Sequence, residues 1–159
     1  MKDNISIGNS ILKFGDFFGS GLPDLAMAAV QYEHSKPHGR AHFETIIYTG
    51  VSVATLKGVF NRKRPNGGNH SMPSGHTSTS FASATYLAST YGLKWGIPAF
   101  SIATLVALER IKNDAHWLSD TIAGACLGIF WGRATYRHEL NITPVVSRDT
   151  VGFNYQVRF

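Results

Sequence analysis

The sequence predicts an all-α fold, a helical bundle with a short C-terminal β-hairpin. Two observations lead there. From Leu22 to about Arg137, long segments follow one another between breaks marked by proline, glycine and asparagine. The tail then changes period. Val151, Phe153, Tyr155, Val157 and Phe159 alternate with Gly152, Asn154, Gln156 and Arg158, the repeat of two that marks a strand.

The elements follow in order. Pro23 opens a first helix over Leu22–Glu33, because proline loses no hydrogen bond in a first turn. Ser35–Gly39 reads as a loop around Pro37, and a second helix runs from about Arg40 to Phe60. Asn61–Met72 is a loop holding the turn formers Pro65, Gly67, Gly68 and Asn69. Ser74 to about Tyr91 is a third helix, ended by Gly92. A fourth covers about Trp95–Arg110, with Pro98 in its first turn. Asn113 or Asp114 caps a fifth that continues to about Arg137. On it Gly124, Gly128 and Gly132 lie four apart, a small-residue stripe that permits tight packing inside the bundle. Thr143–Val146 would pair with the alternating tail across Ser147–Thr150.

A chain of 159 residues fits one domain with its own core. The formal net charge of +5 and pI of about 9.5 suit anionic partners without choosing among them. Cys126 stands alone between Ala125 and Leu127 and reads as a packed, inert thiol. Met1–Phe18 lacks the apolar run of a secretory leader, interrupted as it is by Asp3, Lys13 and Asp16. Two origins fit that absence: a cytoplasmic chain, or one whose leader was removed. A membrane span needs about 20 mostly apolar residues. Thr45–Leu56, Trp95–Leu108 and Thr121–Gly132 stop short of that, and Thr77–Leu93 carries eight Ser or Thr residues. The expectation is a soluble or peripheral domain. His34, His38 and His42 are four apart, but Pro37 between them argues against a metal site.

Three clusters carry chemistry. His116 and Asp120 are four apart and would share a helical face. A carboxylate that accepts from one imidazole nitrogen fixes the tautomer and frees the other nitrogen to attack. Alone, such a pair is an ordinary surface contact. In Pro73-Ser74-Gly75-His76, Ser74 would cap a helix whose leading N–H groups favour a phosphate oxygen. Gly75 lets that backbone come close. His76 in the first turn could protonate a leaving oxygen, an effect of roughly 10²- to 10⁴-fold. Lys57, Arg64 and Arg110 supply fixed cations for the charge that spreads over a phosphoryl group in transfer. Arg62 and Lys63 beside Arg64 also fit a merely solvated basic loop. Together the three clusters make a complete phosphoryl-transfer set.

The pattern Lys57-x6-Arg64-Pro65, Pro73-Ser74-Gly75-His76 and Arg110-x5-His116-x3-Asp120 resembles the three-part signature of the type 2 phosphatidic acid phosphatase superfamily. That superfamily includes bacterial acid phosphatases and vanadium haloperoxidases. The resemblance spans Lys57 to Asp120. It implies a phosphatase with its motifs at 57–120, within the single domain over 1–159 that the length suggests and beside the β appendage at about 143–159 that the alternating tail suggests. The implied enzyme is a phosphatase that hydrolyses a phosphomonoester or pyrophosphate, lipid-linked or soluble, through a phosphohistidine and without a metal or other cofactor. By position, His116 would be the nucleophile, Asp120 its orienter and His76 the general acid. Lys57, Arg64, Ser74, Gly75 and Arg110 would bind phosphate. The implied location is periplasmic or membrane-associated, with peripheral membrane contact.

One position departs from the pattern. Glu109 stands where the family usually has serine before the arginine. A carboxylate aimed inward would repel phosphate, so Glu109 is expected to turn away or to pair with Arg110 or Lys112. Two competing readings are a vanadate-dependent haloperoxidase and a non-catalytic binder of phosphorylated lipid. Nucleic acid is disfavoured, since the basic residues converge on one site without an aromatic platform.

Overall fold

The computed structural model describes residues 16–138, 141–147 and 150–156, the last two stretches as backbone. Five helices make the body: α1 (Leu22–His34), α2 (Lys36–Phe60), α3 (Gly75–Tyr91), α4 (Leu93–Lys112) and α5 (Leu118–His138). Residues 16–19 add a helical turn before α1. Helix α3 is the centre, packed against α2, α4 and α5, while α1 lies mainly on α2. The all-α class holds for this body.

Beyond it, the backbone of Asn141–Ser147 (β1) runs antiparallel to Thr150–Gln156 (β2), with Val145 opposite Gly152. The readings of residues 1–15, and of 157–159 at the end of the tail, lie outside the described residues.

A central helix must be narrow, and α3 is built from small side chains. Ser78, Ser80, Ala82, Ser83, Ala84 and Thr85 are all buried. Two of the hydroxyls are satisfied within the helix itself. Ser78 donates to Ser74 O at 2.8 Å and Thr85 to Phe81 O at 2.7 Å, the back-bond a helical Ser or Thr makes to the preceding turn. The Ser/Thr-rich stretch is therefore the inside of the bundle. Against it lies the glycine stripe of α5. A Cβ at Gly124 would stand 2.7 Å from Ser74 O, and one at Gly128 would overlap Ser78 O. A Cβ at Gly132 would stand 2.5 Å from Ala82 O. The stripe is thus an internal packing seam, as its spacing predicted.

A second buried layer ties α1, α2 and α3 together. His42 is fully buried, stacked on Tyr86 with ring centroids 4.9 Å apart. Its Nδ1 meets Gln31 Oε1 at 2.8 Å and its Nε2 meets Ser83 Oγ at 3.0 Å. Burial lowers its pKa to about 4, so the ring is neutral and takes part as a hydrogen-bonding spacer. His34, His38 and His42 do not converge, and among the described residues no three metal-ligating side chains cluster.

The structure corrects several boundaries. Helix α2 begins at Lys36, not near Arg40, because Pro37 falls in its first turn where no N–H is required; only Ser35 separates α1 from α2. Helix α4 begins at Leu93, which puts Pro98 in its interior. Helix α5 begins at Leu118, not at Asn113 or Asp114. Asn113 instead closes α4, donating through its side chain to Glu109 Oε1, and Asp114 adopts a left-handed φ of 52°. Cys126 is exposed rather than packed. The prediction for Gly92 stands: it closes α3 with a φ of 77° that a side chain would strain. Among the described residues no helix is long and apolar enough to cross a membrane.

The seam generates a test. Gly128→Ala should lower the unfolding free energy by about 1–3 kcal/mol through overpacking, even though alanine gains about 1 kcal/mol over glycine within a helix. Gly50→Ala, whose Cβ would meet nothing within 4 Å, should stabilise the chain slightly. Urea midpoints for the two variants compare them, and equal shifts would contradict the seam.

Candidate active site

The three clusters of the sequence meet at one end of the bundle. Lys57 lies in the last turn of α2, and the loop after it folds back over that turn. Lys57 Nζ donates to His70 O at 2.5 Å, and His70 Nδ1 sits 3.0 Å from Lys57 O. Arg64 is fixed by backbone turns: its N–H donates to Gly68 O at 2.7 Å and its Nε to Asn69 O at 3.1 Å. Among the described residues the terminal nitrogens of Arg64 have no acceptor, which leaves that end of its fork for a ligand.

Helix α3 begins in the same place. Ser74 is fully buried, and its hydroxyl accepts from the Thr77 N–H at 3.5 Å and the Thr77 hydroxyl at 3.0 Å. Its own N–H donates to Asp120 O at 2.9 Å. Ser74 therefore serves as the helix cap. The N–H groups of Gly75 and His76 lead the helix without intrahelical acceptors and are the ones placed for an anion. A Cβ at Gly75 would make only an ordinary contact, 3.5 Å from Val53 Cγ1, so packing does not require glycine here.

His116 sits in the turn before α5 rather than on the helix, so it and Asp120 are not helical neighbours. The turn still brings them together. His116 is buried, with Nδ1 3.8 Å from Asp120 Oδ2, beyond hydrogen-bonding range, and 3.4 Å from Ser71 Oγ. Asp120 is fully buried and well supplied with donors: Ser71 Oγ at 2.5 Å, the Trp117 N–H at 2.9 Å and Arg62 Nη1 at 2.7 Å. Arg62 also donates to Ser119 Oγ at 2.7 Å and lies over the Trp117 ring. A carboxylate can be this deeply buried and charged only when it is paired and hydrogen-bonded.

The electrostatics follow from the geometry. Burial lowers His116 to about 4, and Lys57 and Arg64 push the same way against the opposing pull of Asp120. Burial also lowers His76, helped by Arg110, Arg64 and Lys57 and opposed by Asp16. Lys57 is lowered by burial and then by Arg64, with Asp120 acting oppositely. The groups that act on one another here, Lys57, Arg64, Arg110, His76, His116 and Asp120, are the charged and titratable residues of the three clusters. Arg110 is held by two carboxylates, with Nε 2.5 Å from Glu109 Oε2 and Nη2 2.5 Å from Asp16 Oδ1. Glu109 is buried and also accepts from Asn113. It pairs with Arg110 as expected, rather than with Lys112.

Sequence reasoning missed Ser71, Arg62 and Asp16. Ser71 and Asp16 carry no spacing that marks them. Arg62 looked like part of a solvated basic loop, and only the fold sets it on Asp120.

The model of the PAP2 superfamily matches residues 38–143. The chain belongs to the PAP2 superfamily. Among its PAP2 relatives, the protein named lipid A 1-phosphatase of Porphyromonas gingivalis is 37% identical over 147 residues, covering 86% of this chain. The chain spans only 32% of that relative's length. The crystal structure of Aquifex aeolicus LpxE superposes with a TM-score of 0.74 at 26% identity, covering 81% of this chain and 84% of that one. A structure titled as the first transmembrane PAP2 type phosphatidylglycerolphosphate phosphatase, from Bacillus subtilis, shares the fold, with a TM-score of 0.64 at 22% identity over 82% of this chain and 73% of that one.

Arg62 offers a direct test of how this PAP2 site is held. Arg62→Ala removes a charged partner from buried Asp120 and should cost about 1–3 kcal/mol of stability, less than the about 3–5 kcal/mol for breaking a fully buried pair, because Arg62 is 38% exposed. Lys63→Ala, one residue away and exposed, should cost under about 0.5 kcal/mol. Chemical denaturation of both variants decides it, and similar losses would remove Arg62 from the site's framework.

Proposed function

We propose that the chain hydrolyses a lipid-linked phosphomonoester through a phosphohistidine on His116. The observation that carries this reading is the neutral, buried imidazole of His116 set among Lys57, Arg64 and Asp120. A neutral ring keeps a lone pair at Nε2, and the neighbouring cations draw in the anion it attacks.

Lys57, Arg64 and Arg110 hold the phosphoryl oxygens, together with the N–H groups of Gly75 and His76. His116 Nε2 forms a bond to phosphorus while the ester P–O bond breaks. His76 gives its proton to the departing alkoxide, which leaves as a neutral alcohol. Asp120 faces Nδ1 and stabilises the positive charge that develops on the ring, its own position kept by Ser71, Arg62 and the Trp117 N–H. In the second step His76, now neutral, takes a proton from water. The water oxygen bonds to phosphorus, the N–P bond breaks, and inorganic phosphate leaves. Nothing accumulates: the proton lent in the first step returns in the second.

The lipid-linked part of the reading rests on the surface around the site. Val59 and Phe60 at the end of α2, Leu108 near the end of α4, and Trp117 and Leu118 at the start of α5 are all exposed large apolar residues. Their sequence positions put them at the same end of the bundle as Lys57, Arg110 and His116. An apolar rim around an anion-binding site suits a phosphate carried on an acyl chain at a membrane surface. The names of the lipid phosphatase relatives agree with that substrate class. We place the protein in peripheral contact with a membrane accordingly.

Phosphate release tests the reading, measured from p-nitrophenyl phosphate through a lipid-linked monophosphate. His116→Ala should lower turnover by at least about 10³-fold with the fold kept; release that survives in this variant would sink the mechanism. His76→Ala should slow esters with poor leaving groups more than p-nitrophenyl phosphate, because a good leaving group needs little protonation.

The pH profile follows from the two histidines. His116 must be neutral, so its limb falls as pH drops through about 4. His76 must be protonated, and its pKa is lowered from 6.5, so activity declines as pH rises through a value below that. The kcat/KM profile of the free enzyme should be a bell centred in the acid range. A maximum at alkaline pH would contradict these assignments.

A further inference from the structure

Asp16 belongs to none of the three clusters, yet it reaches into the site. Its Oδ1 lies 2.5 Å from Arg110 Nη2, and its side chain is 63% exposed where that of Arg110 is 9%. The rest of its segment packs on α3 beside the other catalytic group. A Cβ at Gly19 would stand 2.5 Å from His76 Cδ2, so the backbone there lies directly on the imidazole. One turn further along α3, Ser80 Oγ donates to Phe18 O at 3.4 Å. Residues 16–19 thus form a wall on the His76 side of the site.

That side has a chemical meaning once the phosphatase reading is accepted, and the inference rests on that reading. A phosphoryl group passes between nucleophile and leaving oxygen roughly in line. With His116 as nucleophile and His76 as the acid for the leaving oxygen, the leaving group departs past His76, alongside residues 16–19. Asp16 therefore presents a carboxylate to whatever is leaving.

We propose that Asp16 is a specificity-determining residue that favours phosphomonoesters, whose leaving group is a neutral alcohol, over diphosphate esters, whose leaving group is itself an anionic phosphate. Two effects of one carboxylate act together. It repels a second phosphate on the leaving side. It also supports the protonated form of His76, whose pKa it raises against the opposing influences of burial and the cations, and an alkoxide needs that proton more than a phosphate leaving group does. Asp16 also clamps Arg110, but a clamp alone would serve both substrates equally.

The test is the ratio of kcat/KM for an alkyl diphosphate to that for the alkyl monophosphate of the same chain. Asp16→Asn should raise this ratio about three- to tenfold, a modest change because the side chain is largely exposed and screened. Asp16→Glu should keep the wild-type ratio, and the gap between wild type and Asp16→Asn should narrow at high salt. Equal losses on both substrates in Asp16→Asn would make Asp16 a clamp on Arg110 only and overturn the proposal, as would an unchanged ratio or a lower one. Wild-type protein that hydrolyses neither substrate would overturn the phosphatase reading, and this proposal with it.

Discussion

Helix α5 lies so close to α3 that any side chain at Gly124, Gly128 or Gly132 would run into the α3 backbone at Ser74 O, Ser78 O and Ala82 O. The site depends on this approach. Where the seam reaches the start of both helices, Ser74 N–H donates to Asp120 O at 2.9 Å, so the first turn of α5 is bonded to the cap of α3. His76 follows that cap by two residues, and His116 precedes Asp120 by four. The two histidines that would share one phosphoryl group are therefore positioned by a contact made almost wholly of backbone. Backbone contacts of this kind have little freedom to drift, which suits chemistry that fails when reacting atoms are displaced by about 1 Å.

Burial does the remaining electrostatic work, and the two neighbouring groups differ in what compensates it. His116 loses its charge on entering the bundle because burial, joined by Lys57 and Arg64, outweighs what opposes it; Ser71 Oγ reaches Nδ1 only at 3.4 Å, and Asp120 Oδ2 stands 3.8 Å away, already used by Ser71 and the Trp117 N–H. Asp120 sits deeper, yet Arg62 and those donors satisfy it. The carboxylate is thereby committed before substrate arrives, and the imidazole is not. A phosphoryl group bonded to the ring, as proposed, would leave it positively charged, and Asp120 would be in place to meet that charge without any rearrangement of water.

The sequence was most legible where local chemistry and local structure coincide. Ser74 and Gly92 bracket α3 because capping and a left-handed end are short-range requirements. The glycine stripe could be read because its spacing matches one helix face. Reading failed where a residue answers to something distant. Asn113 resembles an N-cap, but Glu109 on the previous turn takes its side chain, so α4 extends and α5 starts later. Cys126 sits in an apolar stretch, yet it falls on the face of α5 turned away from the Gly124 and Gly128 seam and is exposed. The motif residues themselves were found by pattern. Their support was not, because Ser71, Arg62 and Asp16 acquire their roles only when a loop and the segment before α1 are folded against helices far along the chain.

Glu109 and Asp16 then appear as two answers to one problem. A site with Lys57, Arg64 and Arg110 and no counter-charge would hold any polyanion strongly, product phosphate included, and tight binding of ground state and product does nothing for turnover. Both carboxylates fall on Arg110, at 2.5 Å each. They differ in depth: Glu109 is buried and also held by Asn113, whereas Asp16 is mostly exposed. The buried one is a fixed part of the framework and lowers the site's charge for every ligand alike. The exposed one lies on the side where substrates differ from one another, so its charge is felt by the leaving group more than by the transferred phosphoryl. With Arg62 matched by Asp120, the two carboxylates cut the charge of the three cations to one before His76 is counted, and a smaller excess of positive charge rewards the second phosphate of a diphosphate less.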